Sequence, residues 1–250
     1  MKLIIFSYPP HFTISQYCKK FALKNLPDVT EVIYAWDDVF EYNQHLLTEL
    51  KKTENVVLYS QFKNVSNEKN GWLRQQFVKL QLHHMFDDEH YLIIDGDTLL
   101  RNTYHFDIQK PTLFTNIHCY TPYFYFMDKC LGLKKKNTFS FISPLFLFEK
   151  TVLEQLETYC MKRNGCSIVE FYQKHKWLDY KPTAPFSEFE IYGTFATQIL
   201  NKDYNYVDDS FVVVRKNLLQ EFSATDKNLV LEGNDSLITQ KDWKRISRYI

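Results

Sequence analysis

Asp95-Gly96-Asp97 sets two carboxylates two positions apart at the end of the apolar run Tyr91-Leu92-Ile93-Ile94. That run, with two β-branched isoleucines, reads as a buried strand. Gly96 lets the backbone turn tightly, so both carboxylates can converge beyond the strand end. Carboxylates held that close repel, and a hard divalent cation that prefers oxygen ligands relieves the repulsion. Mg²⁺ or Mn²⁺ there would gather the oxygens of a diphosphate and stabilise it as a leaving group. A polar turn between strands is the simpler use of the same tripeptide, so the rest of the chain has to decide.

Two further stretches carry reactive side chains. In Gly71–Leu80, Leu73, Phe77 and Leu80 make an apolar helical face that continues to Leu82, Met85 and Phe86. Arg74 and Lys79 on this helix could reach a diphosphate, the arginine bidentately. His83 and His84 are adjacent, point to different faces of a helix, and read as packing residues. In Phe186–Phe195, Ser187 is a natural N-cap and Glu190, three residues on, completes a capping box. Glu188 is left in the first helical turn without a structural task.

Together these blocks resemble the GT-A glycosyltransferases, which use nucleotide-sugar donors and carry a D-x-D signature after an apolar strand. More narrowly, G-W-x-x-Q-Q-x-x-K-L from Gly71, F-S-F-x-S from Phe139 and S-E-x-E-x-Y-G from Ser187 resemble a largely uncharacterised bacterial and phage glycosyltransferase-like family. The resemblance runs from Met1 to about Phe195. It implies an α/β, GT-A-like (Rossmann-like) α/β/α sandwich with a mixed central sheet, and a sugar transfer assisted by Mn²⁺ or Mg²⁺, with a UDP-sugar the favoured donor. Asp95 would face the ribose or metal, and Asp97 would bind the metal. Arg74, Gln75 and Lys79 would contact the donor phosphate or sugar. Ser7 and Tyr8, in the loop after the first strand, would help hold the nucleotide, and Asp37, after the second, its base or ribose. Glu188 and Glu190 are the catalytic candidates. In an inverting enzyme Glu188 would take the acceptor proton; in a retaining one it would orient sugar hydroxyls. Many such enzymes draw a further metal ligand, frequently histidine, from the C-terminal part. No histidine follows His175, so Asp208 or Asp209 substitutes, with Asp209 the candidate, or the metal relies on Asp95, Asp97 and the diphosphate.

The elements that must hold these residues follow from periodicity. Strands are predicted at Leu3–Phe6, Thr30–Trp36, Val56–Tyr59, Tyr91–Ile94, Pro111–Thr115, Phe139–Phe148, Asn205–Val207 and Phe211–Arg215. Helices are predicted from about Ile14 to Leu26, capped by Thr13 or Ser15, and at Leu46–Leu50, Gly71–Phe86, Val152–Met161 and Ile168–Lys176. Ser7-Tyr8-Pro9-Pro10 is also readable as a rigid turn, and Asp38 as a helix cap. Tyr120, Tyr123, Phe124, Tyr125 and Phe126 form either a platform for a sugar or base or a buried aromatic cluster, with Lys134, Lys135 and Lys136 beside them.

The chain has 250 residues, enough for one domain with a nucleotide-binding part of about 1–100, an acceptor side of about 101–236 and a C-terminal helix of about 237–250. Aromatic residues make up 17%, a content that suits stacking on sugar rings and nucleobases as well as filling a core. Lys and Arg balance Asp and Glu at 30 each, so bulk charge draws the chain toward neither nucleic acid nor membrane. Five cysteines without a C-x-x-C fit reduced thiols. With no stretch long enough for an integral membrane segment, the expected location is cytoplasmic. The basic tail from Leu237 could touch the inner membrane face. A bacterial surface glycan, lipopolysaccharide or lipid-linked acceptor is the first expectation. The alternatives are a phage enzyme, in the host cytoplasm, that glycosylates hydroxymethylated pyrimidines in duplex DNA, and a binding protein without turnover.

Overall fold

The computed structural model describes residues 1–39, 44–117, 119–175, 185–208, 211–214 and 227–231. It opens with β1 (Lys2–Ser7), α1 (Phe12–Asn25), β2 (Glu31–Trp36), α2 (Gln44–Lys51) and β3 (Asn55–Leu58). Then come α3 (Gly71–Leu80), β4 (His90–Asp95), β5 (Thr98–Leu99), β6 (Thr112–Thr115) and α4 (Thr121–Leu131). The second half adds β7 (Leu145–Glu149), α5 (Lys150–Asn164), α6 (Ile168–His175) and α7 (Glu188–Gln198), then β8 (Asn205–Asp208), β9 (Phe211–Val214) and β10 (Asn228–Leu231). The predicted tail helix lies outside the described residues, as does Asp209.

A five-stranded sheet in the order β3-β2-β1-β4-β7 forms the middle layer. Its first four strands are parallel and β7 is antiparallel to β4, so the sheet is mixed. Alternating side chains face opposite ways. Ile4 and Phe6 of β1, Tyr91 and Ile93 of β4 and Phe146 and Phe148 of β7 enter one apolar cluster. Leu3 and Ile5, Leu92 and Ile94, and Leu145 and Leu147 enter the other. Residues of α3 to α7 complete the first cluster, and Cys18 and Ala22 of α1 with Leu50 of α2 complete the second. The result is an α/β/α sandwich.

Chain order decides where the site can be. After β1 the chain builds β2 and β3 outward on one side, then returns through α3 to lay β4 on the other. The crevice above the carboxyl ends of β1 and β4 is therefore the topological switch point, where open parallel sheets bind ligands.

Several local expectations are corrected. The strand expected at Phe139–Phe148 begins only at Leu145, because Pro144 has no N–H to give a ladder; Ser140 instead bridges to Asn116. The N-cap of α1 is His11, whose side chain does not cap the helix, and Ser15 donates to the Phe12 carbonyl at 2.8 Å. α3 stops at Leu80, and a separate 3-10 turn spans Leu82–His84. The aromatic stretch near Tyr123 is α4, with Pro in its first turn and left-handed Gly132 closing it. Among the described residues no helix is long and apolar enough to cross a membrane.

Candidate active site

The Asp95-Gly96-Asp97 loop is clamped on three sides by backbone bonds. Asp95 N–H donates to the Pro144 carbonyl at 3.0 Å, Gly96 N–H to Phe6 at 2.8 Å, and Leu231 N–H to Asp97 at 2.9 Å. Gly96 is required for closeness and not for a left-handed turn. A Cβ there would lie 2.5 Å from the Phe6 carbonyl oxygen. The loop is thus pinned to β1, β7's approach and β10, with little freedom to move its carboxylates.

These residues open on a cavity of about 520 Å³, within the usual size of a small-molecule site. Its walls include Ser7, Tyr8, Asp37, Trp72, Gln75, Gln76, Lys79, Asp95, Asp97, Tyr123 and Glu188. Of the side chains expected from sequence, Ser7, Tyr8, Asp37, Gln75, Lys79, Asp95, Asp97 and Glu188 meet here. Ser7 Oγ is buried with no hydrogen-bond partner among the described residues, and Tyr8 Oη is 2.9 Å from His11 Nε2.

Lys79 organises the wall. The first turn of α3 is capped by Asn70, whose side chain accepts from Trp72 N and Leu73 N, and this fixes the helix so that Gln75 and Lys79, four apart, share one face. Lys79 Nζ lies 2.8 Å from Asp95 Oδ1 and 2.8 Å from Glu188 Oε1. Gln75 Nε2 donates to the same Asp95 oxygen at 2.6 Å. The ring faces of Phe189 and Phe6 lie 4.5 and 5.2 Å from the ammonium. Burial opposes the charged lysine, but the two carboxylates outweigh it and raise the pKa above 10.5. Burial pushes Glu188 above the usual carboxylate value although Lys79 pulls it down. With its amide nitrogen facing acceptors, Gln76 donates to Glu188 Oε2 at 2.8 Å and to the Phe186 carbonyl at 2.8 Å. Nothing in the sequence assigned Gln76; its only signal was its place in the G-W-x-x-Q-Q block.

Two expectations are corrected by direction. Arg74 does not point at the cavity. Its Nε reaches both Asp37 oxygens at 3.1 Å, Nη2 reaches Oδ2 at 2.7 Å, and Nη1 donates to the Glu68 carbonyl at 2.7 Å. Both partners are almost fully buried, so Arg74 neutralises Asp37, and burial still holds the Asp37 pKa above its usual value. Asp37 reaches the cavity wall with its oxygens already engaged by that guanidinium.

Glu190 turns away as well. Its carboxylate takes the Ser140 hydroxyl at 2.6 Å, the Phe141 N–H at 3.3 Å and Lys135 Nζ at 2.8 Å, and it is fully buried. Ser187 does cap α7 by accepting from Glu190 N, but the Glu190 side chain ties α7 to the 139–141 segment instead of closing a capping box. Lys135, one of three adjacent lysines, is consumed here.

At the mouth of the cavity Trp72, 43% exposed, stacks on Tyr123 with ring centroids 6.4 Å apart and planes 27° apart. Phe126, three residues further on α4, is buried in the core. The aromatic segment therefore divides between platform and packing.

The sequence family described as "Family of unknown function (DUF6492)" matches residues 3–237. No curated protein matches this chain. Among solved structures, the galactosyltransferase LgtC in complex with donor and acceptor sugar analogues is similar at a TM-score of 0.51 and 12% identity, covering 100% of this chain and 95% of that one. An active-site mutant of LgtC gives a TM-score of 0.55 at 12% identity, with the same coverage. The shared feature is the fold, an α/β sandwich of GT-A type with a mixed central sheet.

Proposed function

We propose that this chain, which belongs to the DUF6492 family, is a glycosyltransferase that moves a sugar from a nucleotide-sugar donor to a hydroxyl acceptor. One observation carries the reading. Asp95 and Asp97, at the β1/β4 switch point, open on a cavity that also holds Lys79 and Glu188. The likeness of fold to LgtC, a galactosyltransferase by name, supports it.

The donor set fits a hard cation, since the two side chains of the loop offer carboxylate oxygens. Asp97, with Asp95 beside it, would hold Mg²⁺ or Mn²⁺, which when bound neutralises the donor diphosphate. Lys79 and Gln75 hold Asp95 in place through its Oδ1. Ser7 and Tyr8 line the β1 side, where the nucleoside would rest. Glu188, held by Lys79 and Gln76, faces the transferring sugar and accepts hydrogen bonds from hydroxyls there. The Arg74–Asp37 pair and Glu190 stiffen the walls.

The acceptor side suits a neutral sugar better than duplex DNA. Asp95, Asp97 and Glu188 face the cavity against Lys79, while Asp37 is already neutralised by Arg74, and a lining in which carboxylates outnumber cations repels a phosphate backbone. The exposed Trp72–Tyr123 pair offers aromatic faces for a pyranose ring. Since the cavity draws on residues from Phe6 to Val230, both halves of the chain would act as one catalytic unit.

Calorimetric titration of UDP-, GDP-, CMP- and dTDP-sugars, with and without Mn²⁺, on wild type and Asp97→Ala tests the reading. Metal-dependent binding of one nucleotide class, lost in the variant, is the expected result. No binding by any of them to folded protein would return Asp95-Gly96-Asp97 to the status of a turn.

A further inference from the structure

We propose that His83, His84 and Glu157, beyond the C-terminal end of α3 and outside the lining of the Asp95–Asp97 cavity, form a binding site for a borderline transition-metal cation of the zinc class. Adjacent histidines on a continuous α-helix would diverge, but α3 ends at Leu80 and the 3-10 turn Leu82–His84 brings their rings together. The ring centroids are 3.9 Å apart. Both Nε2 atoms converge on one oxygen of Glu157 from α5, His83 at 2.9 Å and His84 at 3.2 Å. The three donor atoms all lie within 4.8 Å of one another.

Donors around a tetrahedral zinc, at bonds of about 2.0–2.2 Å, sit roughly 3.3–3.5 Å apart. Small side-chain movements would open the observed triangle to that size. His83 is buried, and its Nδ1 has no hydrogen-bond partner among the described residues; its Nε2 faces the Glu157 carboxylate, and an ion bound there would take the place of the proton between them. A cavity of about 240 Å³ lined by these three residues leaves room for water or a small anion as the fourth ligand.

Two imidazoles and one carboxylate select Zn²⁺, Co²⁺ or Ni²⁺ over Mg²⁺. The all-oxygen pair at Asp95 and Asp97 has the opposite preference, so the two sites are separable by metal. An ion here would fasten the turn after α3, the helix that presents Gln75 and Lys79, to α5. The residues joined are 74 positions apart.

The test is Zn²⁺ titration of the full chain by calorimetry, with Co²⁺ absorption as the geometric readout, in an Asp97→Ala background that weakens the carboxylate site. One equivalent of Zn²⁺ is expected to bind, with tetrahedral Co²⁺ bands and no thiolate charge-transfer band. His84→Ala at an exposed position and Glu157→Gln at a half-buried one, with the fold checked by circular dichroism, should weaken Zn²⁺ by more than the roughly 100-fold that loss of a supporting partner costs. Zn²⁺ at about 100 times its Kd should raise the melting temperature by about 5 °C or more, an increment absent from both variants. No zinc binding, or binding unchanged in both variants, would overturn the proposal and leave a pair of histidine–carboxylate hydrogen bonds.

Discussion

At the scale of single residues, Lys79 decides the electrostatics of the cavity. Its ammonium lies 2.8 Å from both Asp95 and Glu188. Lys79→Met would leave Glu188 buried and unpaired, and breaking such a buried arrangement costs about 3–5 kcal/mol. In the wild type the raised lysine pKa means that its contribution is full below 10.5 and is lost as pH rises through the higher folded value. In the variant the carboxylate dominates. Its folded pKa climbs further, so ionised Glu188 costs stability at neutral pH and the loss shrinks as pH falls toward the ordinary carboxylate range. Urea unfolding at pH 5 and pH 8 should therefore show a larger deficit at pH 8. The two glutamates of α7 should separate in the same spirit. Glu188→Gln is expected to lower turnover about 10²–10⁴-fold in a folded protein. Glu190→Gln, whose carboxylate faces Ser140, Phe141 and Lys135, should cost about 1–3 kcal/mol of stability with a far smaller effect on kcat. If Glu188 takes a proton, the acid limb of kcat/KM falls above the ordinary value of 4.5, and Glu188→Gln abolishes that limb. If it only orients hydroxyls, the limb is absent from the wild type too.

At the scale of elements, the site depends on how closely β1 and β4 approach at their carboxyl ends. Gly96→Ala would drive a methyl to 2.5 Å from the Phe6 carbonyl oxygen, which belongs to backbone and cannot swing aside. Overpacking of this kind costs about 1–3 kcal/mol, and here it also prises the carboxylates from their clamp, so donor binding should weaken with stability. Gly165→Ala is the control. Gly165 has φ of +68° and nothing within 4 Å, so the substitution carries only the left-handed backbone cost of about 1–2 kcal/mol and should leave donor affinity unchanged. Chemical denaturation paired with nucleotide titration distinguishes them. The same scale explains what the sequence could reveal. The β4 run, the apolar face of α3 and the Ser187 cap of α7 are local patterns, and each was legible. The direction of Arg74 was not, because its partner Asp37 lies 37 positions away at the end of another strand. Glu190 likewise satisfied a local capping pattern, and only packing against residues 139–141 shows where its carboxylate goes. His83 and His84 converge because the helix stops at Leu80, an ending that the apolar period running on to Phe86 concealed.

At the scale of the whole molecule, the cavity is where the two halves of the chain meet. Phe6, Asp37, Lys79 and Asp95 come from the first hundred residues, and Tyr123, Glu188 and Val230 from the rest. A ligand that fills it bridges β1, α3, β4, α4 and α7 and binds only when all of them are assembled. Binding to the folded state alone stabilises by mass action, about 2.7 kcal/mol at 100 times Kd, or roughly 5–10 °C in melting temperature for a chain of this size. The expected experiment uses protein first stripped with chelator, so that any ion at His83, His84 and Glu157 is absent from every arm. Adding Mn²⁺ with the matching nucleoside diphosphate should raise the melting temperature by that amount. Nucleotide alone should give much less, because the acidic wall then faces the phosphates without a cation between them. In Asp97→Ala the Mn²⁺-dependent increment should vanish while any metal-free nucleotide effect survives. An equal shift in both proteins would remove Asp97 from the metal site but leave the pocket as the nucleotide's. No shift in either would remove the nucleotide itself.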